Sequence, residues 1–122
     1  MRRQAAPQLR VKPNVNALTE RRLLGLVGLG VRAGTAVVGV DRVRDAARRG
    51  HLALAIVAPD AARNSLEKVL PLLRARRIEV VMGPPAGSLG GAVGRQTTAA
   101  VGIIDYDLAS GMRRLVRGGR TE

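Results

Sequence analysis

The feature that most constrains this chain is the run from Leu52 to Ala58, which is apolar at every position after His51 and is closed by Pro59. The run is too short for a free-standing helix and lacks the in-out alternation of a half-buried strand. It therefore reads as a central strand buried on both faces. Such a strand requires helices above and below its sheet, and the flanking segments supply them. Thr19 is placed to cap a first helix, with Glu20 in its first turn and Leu23, Leu24, Val27 and Val31 at helical spacing until Gly34. Ala36–Val38 reads as a short edge or first strand. Gly39 opens a second helix whose Val43, Ala46 and Ala47 face inward and whose Arg42, Arg44, Arg48 and Arg49 face out, and Gly50 ends it. Asn64 or Ser65 caps a third helix through Leu66, Val69, Leu70 and Leu73 to about Arg76, with Pro71 expected to kink it. A strand over Ile78–Met82, a loop of Gly83, Pro84, Pro85 and Gly87, and a short helix capped by Ser88 and running through Val93 come next. A fourth strand over Thr98–Ile104 and a terminal helix over Asp107–Val116 complete the order. Strands separated by helices predict an α/β fold, a three-layer α/β/α sandwich with a four-stranded mixed sheet.

A chain of 122 residues has room for one such core. Residues 1–16 carry Pro, Asn, Gln and scattered basic groups without apolar periodicity and read as a flexible basic arm. The domain is expected over 17–117, and 118–122 as a flexible tail. Apolar residues make up 46% of the sequence, but Tyr106 is its single aromatic, so the core must be aliphatic. The same shortage argues against RNA-binding surfaces that stack bases on Phe, Tyr or Trp.

Twenty-one basic residues against nine acidic ones give a net charge of +12, which predicts a polyanionic partner. All the basic residues except Lys12 and Lys68 are Arg, the better residue for forked contacts to phosphate and guanine. A coding bias could account for the Arg excess, but not for the deficit of acids. There is no Cys and His51 is the only His, which removes a disulfide framework, a thiolate nucleophile and a typical zinc site. No nucleophile, base and orienting group can be assembled from what remains, so neither enzymatic activity nor a cofactor or metal is expected. The apolar stretches are broken by Arg, Gly or Asp before the roughly 20 residues that span a bilayer, so no membrane partner is expected. No apolar signal core opens the chain, and Pro7 and Pro13 interrupt any transit-type helix, which makes the cytoplasm the expected compartment.

Gly25, Gly28 and Gly30 resemble a dinucleotide-binding loop only superficially, since their spacing is reversed and they lie inside a helix; close packing against the sheet is the expected role. His51 has no chemical partner nearby in sequence and reads as structural or surface. Asp105 and Asp107 sit where a strand gives way to a helix and read as caps. The strongest candidate site is the second helix, where backbone N–H groups at Gly39–Asp41 and the guanidinium groups of Arg42, Arg44, Arg48 and Arg49 could converge on phosphate. Arg74, Arg76 and Arg77, and likewise Arg113, Arg114 and Arg117, complement helix C-termini and could be either solvated or binding surfaces.

Four segments taken in order resemble a known family: GVDRVRDAARRG from Gly39 to Gly50, the strand LALAIVAPD, VLPLLR ahead of a strand, and SLGGAVGR from Ser88 to Arg95. Together, over about Leu18 to Leu115, they are similar to the L-seven-Ae kink-turn-binding ribosomal-protein family, in particular its bacterial YlxQ-like branch. The resemblance implies an α/β/α sandwich that binds RNA without catalysis or cofactor. The family's RNA-contacting loop reads G-A-N-E-V-T-K and corresponds to Gly39, Val40, Asp41, Arg42, Val43, Arg44 and Asp45. Gly39 and Val43 are kept, while Asp41, Arg42, Arg44 and Asp45 replace Asn, Glu, Thr and Lys. A second contact region corresponds to Met82, Gly83 and Pro84 and to Gly94, Arg95 and Gln96. The resulting expectation is a monomer that binds structured RNA, kink-turn-like or ribosomal, with the ribosome as a candidate partner, through Gly39, Val40, Asp41, Arg42, Arg44, Arg48 and the second region. The alternative is a protein-interaction module docking onto an acidic partner such as a ribosome or a transcription or translation factor.

Overall fold

In a computed structural model of the chain, the described residues are 10–11 and 17–118. The elements run β1 (Arg10–Val11), α1 (Ala17–Ala33), β2 (Ala36–Val38), α2 (Val40–Arg48), β3 (Leu54–Val57), α3 (Arg63–Ala75), β4 (Val80–Met82), α4 (Ala86–Ala92), β5 (Ala100–Ile103) and α5 (Tyr106–Gly118). The strands form one sheet in the order β1-β4-β3-β5-β2. β3 pairs in parallel with β4, and β4 with β1, whereas β5 runs antiparallel to both β3 and β2. The sheet is thus mixed, and the Leu52–Ala58 run supplies its centre.

Alternation along the strands builds the two halves of the core. Leu54 and Ile56 of β3, with Val101 and Ile103 of β5, point into a layer formed by α1, α4 and α5, where they meet Leu23, Val27, Leu89, Ala109 and Met112. Ala55 and Val57, with Ala100, point the other way and meet Val43, Ala46 and Ala47 of α2 and Val69 and Leu73 of α3. All four residues of β3 are fully buried, which is why the strand carries no polar side chain. The predicted three-layer α/β/α sandwich is the observed fold.

The differences are local. The four expected strands are joined by a fifth, because Arg10–Val11, assigned to the arm, adds to the edge of β4; the remainder of the arm and residues 119–122 of the tail lie outside the described residues. Three expected helix caps are corrected. Thr19 is buried inside α1, which begins two residues earlier; Asn64 and Ser65 lie in the first turn of α3 behind Ala62; and Ser88 lies inside α4 behind Pro85. Each has a polar side chain able to cap, but in each case the helix begins one or two residues upstream of it. Asp105 does cap, its Oδ1 accepting the Asp107 N–H at 3.3 Å. Of the three glycines in α1, Gly28 and Gly30 are packed: a Cβ would lie 3.2 Å from the Ala92 carbonyl oxygen at Gly28 and 2.8 Å from Leu108 at Gly30. The close approach is therefore made largely to α4 and α5 rather than to the sheet, and Gly25 has open space around it.

Candidate nucleic-acid interface

The pairings of Val57 with Met82 and Ala100, and of Val38 with Val101, bring the C-terminal ends of β2, β3 and β4 and the N-terminal end of β5 to one edge of the sheet. Gly39, the Arg95 loop and Gly83 all emerge there. From β2 to β4 is three strand spacings, so the edge is about 14 Å long.

At its β2 end the chain turns sharply into α2. Gly39 has φ 101° and ψ 153°, a conformation that L side chains rarely adopt. Its N–H donates to the Ala100 carbonyl at 2.9 Å, and its carbonyl accepts the Val43 N–H at 3.0 Å. No side chain caps the helix, so the N–H groups of Val40, Asp41 and Arg42 are left outside the helical ladder. This uncapped turn forms one wall of an open cleft of about 440 Å³ lined by Val38, Gly39, Val40, Asp41, Arg42, Ser65, Lys68 and Arg95.

Three cations therefore share the cleft, from three different segments. Among the described residues, none of Arg42, Lys68 or Arg95 has a carboxylate within ion-pair distance: the acids found in pairs are Asp45 with Arg49, Glu67 with Arg63 and Glu79 with Arg113. Asp41 is the one acid lining the cleft. Partial positive charge from the helix terminus adds to that of the side chains, so the cleft is suited to an anion with several oxygens.

Arg95 is held there by backbone geometry. Gly90 packs so tightly on the following loop that a Cβ would lie 2.5 Å from Thr97 Cα and 2.6 Å from Thr97 N. Gly94 takes φ 80°, and the Arg95 N–H closes the turn onto the Gly90 carbonyl at 2.8 Å. These contacts account for Gly90 and Gly94 and deliver the Arg95 guanidinium beside Gly39, whose hypothetical Cβ lies 3.8 Å from Arg95 Nη1. Gln96 follows as an exposed residue.

The other end of the edge differs. Gly83 has φ 105° and donates its N–H to the Val57 carbonyl at 2.8 Å, and the Gly83–Pro84 peptide is cis. Pro84 is buried and Met82 is half-buried against the α2/α3 core. The carboxylate of Asp60 stands in the same loop cluster, accepting the Ala86 N–H at 2.8 Å. Met82, Gly83 and Pro84 thus share an edge with Gly39 and Arg95, but not the cationic cleft.

Nor does the cleft gather every arginine of α2. Arg44 and Arg48 lie outside it. Arg44 is half-buried, with its Nε enclosed and without a hydrogen-bond partner among the described residues. Arg49 is exposed and paired with Asp45 at 3.2 Å. Arg49 also borders a second cleft of about 370 Å³ along the β2 edge, which includes the exposed His51 together with Asp41, Arg42 and Asp45. Ser65 and Lys68 of α3 were not expected at the site. Their signal lay in the wheel of α3, where both fall beside the buried Val69 on one flank. Among the described residues, no three His, Asp or Glu side chains are close enough to hold a metal ion. No described helix is long and apolar enough to cross a membrane.

The chain is similar to solved structures across most of its length. A protein of unknown function from Bacillus halodurans matches with a TM-score of 0.72 at 26% identity, over 79% of this chain and 97% of that one. The Giardia lamblia 15.5 kD RNA binding protein matches with a TM-score of 0.70 at 24% identity, over 93% of this chain and 96% of that one. These likenesses establish a shared fold, the α/β/α sandwich that the sequence resemblance implied. No family model and no curated protein matches the sequence.

Proposed function

We propose that this protein binds structured RNA without catalysis, gripping phosphate in the cleft between the α2 N-terminus, α3 and the Arg95 loop. The observation that carries the reading is the meeting of Arg42, Lys68 and Arg95 at an uncapped helix terminus, with no carboxylate paired to any of them among the described residues. An excess of positive charge over the whole chain supports it, as does the fold shared with an RNA binding protein from Giardia lamblia. The near-absence of aromatics favours RNA held by backbone and shape over single strands held by stacking. A bent or kinked element such as a kink-turn, in ribosomal RNA or on the ribosome, suits an open cleft flanked by a 14 Å edge, about that length by strand spacing. Asp41 and Arg42 replace the Asn and Glu of the family loop, so phosphate contacts carry more of the affinity here and base contacts less.

Fluorescence anisotropy with a labelled, bulged RNA hairpin tests the site. The Arg42→Ala/Arg95→Ala variant is expected to bind at least about tenfold more weakly at moderate salt, the scale of two charge-assisted contacts. Unchanged affinity in a folded double variant contradicts the assignment.

A further inference from the structure

We infer that the RNA footprint continues out of the cleft along the seam between α2 and α3, where the backbone of a duplex stem lies across Arg44, Arg48 and Arg76. This rests on the RNA-binding reading above and extends it to a surface which that cleft does not include.

The two helices are fixed side by side at both ends. Near the N-termini, Val40 and Asp41 share the cleft with Ser65 and Lys68. Near the C-termini, Arg76 Nη1 donates to the Arg48 carbonyl at 2.9 Å. The helices therefore run in the same direction, and one flank of each borders the seam. On α2 that flank carries Val40, Arg44 and Arg48 at successive i+4 positions; on α3 it carries Lys68 and Leu72, with Arg76 at the same spacing just past the helix end. Lys68 thus stands at the junction of cleft and seam. Arg44 and Arg48 are thus about 6 Å apart along α2 and Lys68 and Arg76 about 12 Å apart along the α3 flank, so the cations form a ladder rather than a single point of charge.

Acidic side chains of the same helices lie elsewhere. Asp45 is paired with Arg49 and Glu67 with Arg63, both at exposed i,i+4 positions, and Asp41 lies at the mouth of the cleft. Among the described residues, Arg44, Arg48 and Arg76 have no carboxylate partner. Arg44 carries a further sign of an absent acceptor, since its Nε is enclosed and unbonded. An enclosed donor without a partner is costly, and a phosphate oxygen arriving over the seam gives the guanidinium an acceptor by a change of rotamer.

The chemistry of the ladder selects a duplex backbone. Tyr106, the single aromatic, belongs to α5 on the opposite layer, so the seam offers an unpaired base no aromatic ring to stack on. Arginines spaced along a shallow groove between helices neutralise consecutive phosphates and read no base sequence. The proposal is therefore a sequence-independent grip on the stem that leads away from the RNA element held in the cleft.

Two bulged hairpins of identical sequence at the bulge, one with a long stem and one with that stem cut short, test this by anisotropy over a range of salt. With the parent protein, the long-stemmed RNA is expected to bind more tightly and with the steeper salt dependence. The Arg48→Gln/Arg76→Gln variant is expected to lose about tenfold in affinity for the long-stemmed RNA and to lower its salt slope by about 1.4 to 1.8 log units per log of salt, the loss of two phosphates. Its affinity for the short-stemmed RNA should be unchanged. Since Arg76 also bonds the α2 terminus, Arg48→Gln alone is measured as well, with about half that change in slope expected and an unaltered melting curve. Equal weakening of both RNAs, or of neither, overturns the seam while leaving the cleft intact, and the second result turns attention to an acidic protein surface. Failure of the parent to bind either hairpin at low salt overturns the cleft and the seam together.

Discussion

The two helical layers that cover the sheet are built differently. The α1/α4/α5 layer meets the sheet through Leu23, Leu54, Ile56, Leu89, Ile103 and Met112, and its most constrained cation, Arg113, is tied to Glu79 and within 3.5 Å of the Ala53 carbonyl. The α2/α3 layer meets it largely through Ala46, Ala47, Ala55, Ala100 and valines, and its flank facing α3 carries arginines without carboxylate partners among the described residues. Small side chains let α2 lie close to the sheet, which sets its N-terminus beside Gly39 and the Arg95 loop. The bulkier apolar contacts thus belong to one layer, and the cations of the cleft and of the α2/α3 flank to the other. Stability and recognition are therefore expected to be separable, because removing an apolar side chain from the first layer and a cation from the second acts on different properties.

Leu54→Ala is expected to have the largest effect. Leu54 is fully buried and lies on the α1/α4/α5 side of the central strand. Its truncation is expected to cost about 2 to 5 kcal/mol in denaturant unfolding, while RNA affinity measured well below the melting temperature stays near that of the parent. A large loss of affinity in the folded variant would join the two properties that the layers keep apart.

A smaller effect sharpens the contrast between fixed and free arginines. The Arg113 side chain is largely covered and bonded to Glu79, a neighbour of β4. Arg113→Ala is expected to destabilise by up to about 1 kcal/mol with no change in RNA affinity. Arg48→Gln is expected to leave stability within about 0.5 kcal/mol of the parent and to weaken the binding of long-stemmed RNA. Paired thermal melts and anisotropy titrations check both, and the reverse pattern would remove the distinction.

Much of the fold was legible because its strongest signals are local. The unbroken apolar run at Leu52–Ala58 requires burial on both faces, and the 3.6-residue spacing in the flanking segments supplies the covering helices. Helix starts were less legible: Thr19, Asn64 and Ser88 each have the chemistry of a cap but are equally tolerated inside a first turn, so residue type alone does not fix the boundary. The pairing of Arg10–Val11 with β4 could not be read from a two-residue segment with no periodicity of its own. At the candidate site, Gly39 and Arg95 were visible from their turn and motif context. Lys68 was not, because it enters the cleft only through the side-by-side packing of α2 and α3. Conversely, Arg42, Arg44 and Arg48 looked equivalent along the chain but are divided by the helix wheel, Arg42 falling to the cleft and the other two to the flank facing α3.

The central claim is that unpaired cations at the α2 N-terminus hold RNA phosphate. Its most direct test is the salt dependence of binding between the parent protein and a bulged RNA hairpin, followed by anisotropy and compared with the Arg42→Ala/Arg95→Ala variant. The account predicts a linear fall in log affinity with log salt, and a slope about 1.4 to 1.8 units shallower in the variant, from the loss of two phosphate contacts. A parent slope indistinguishable from that of the folded variant would contradict it.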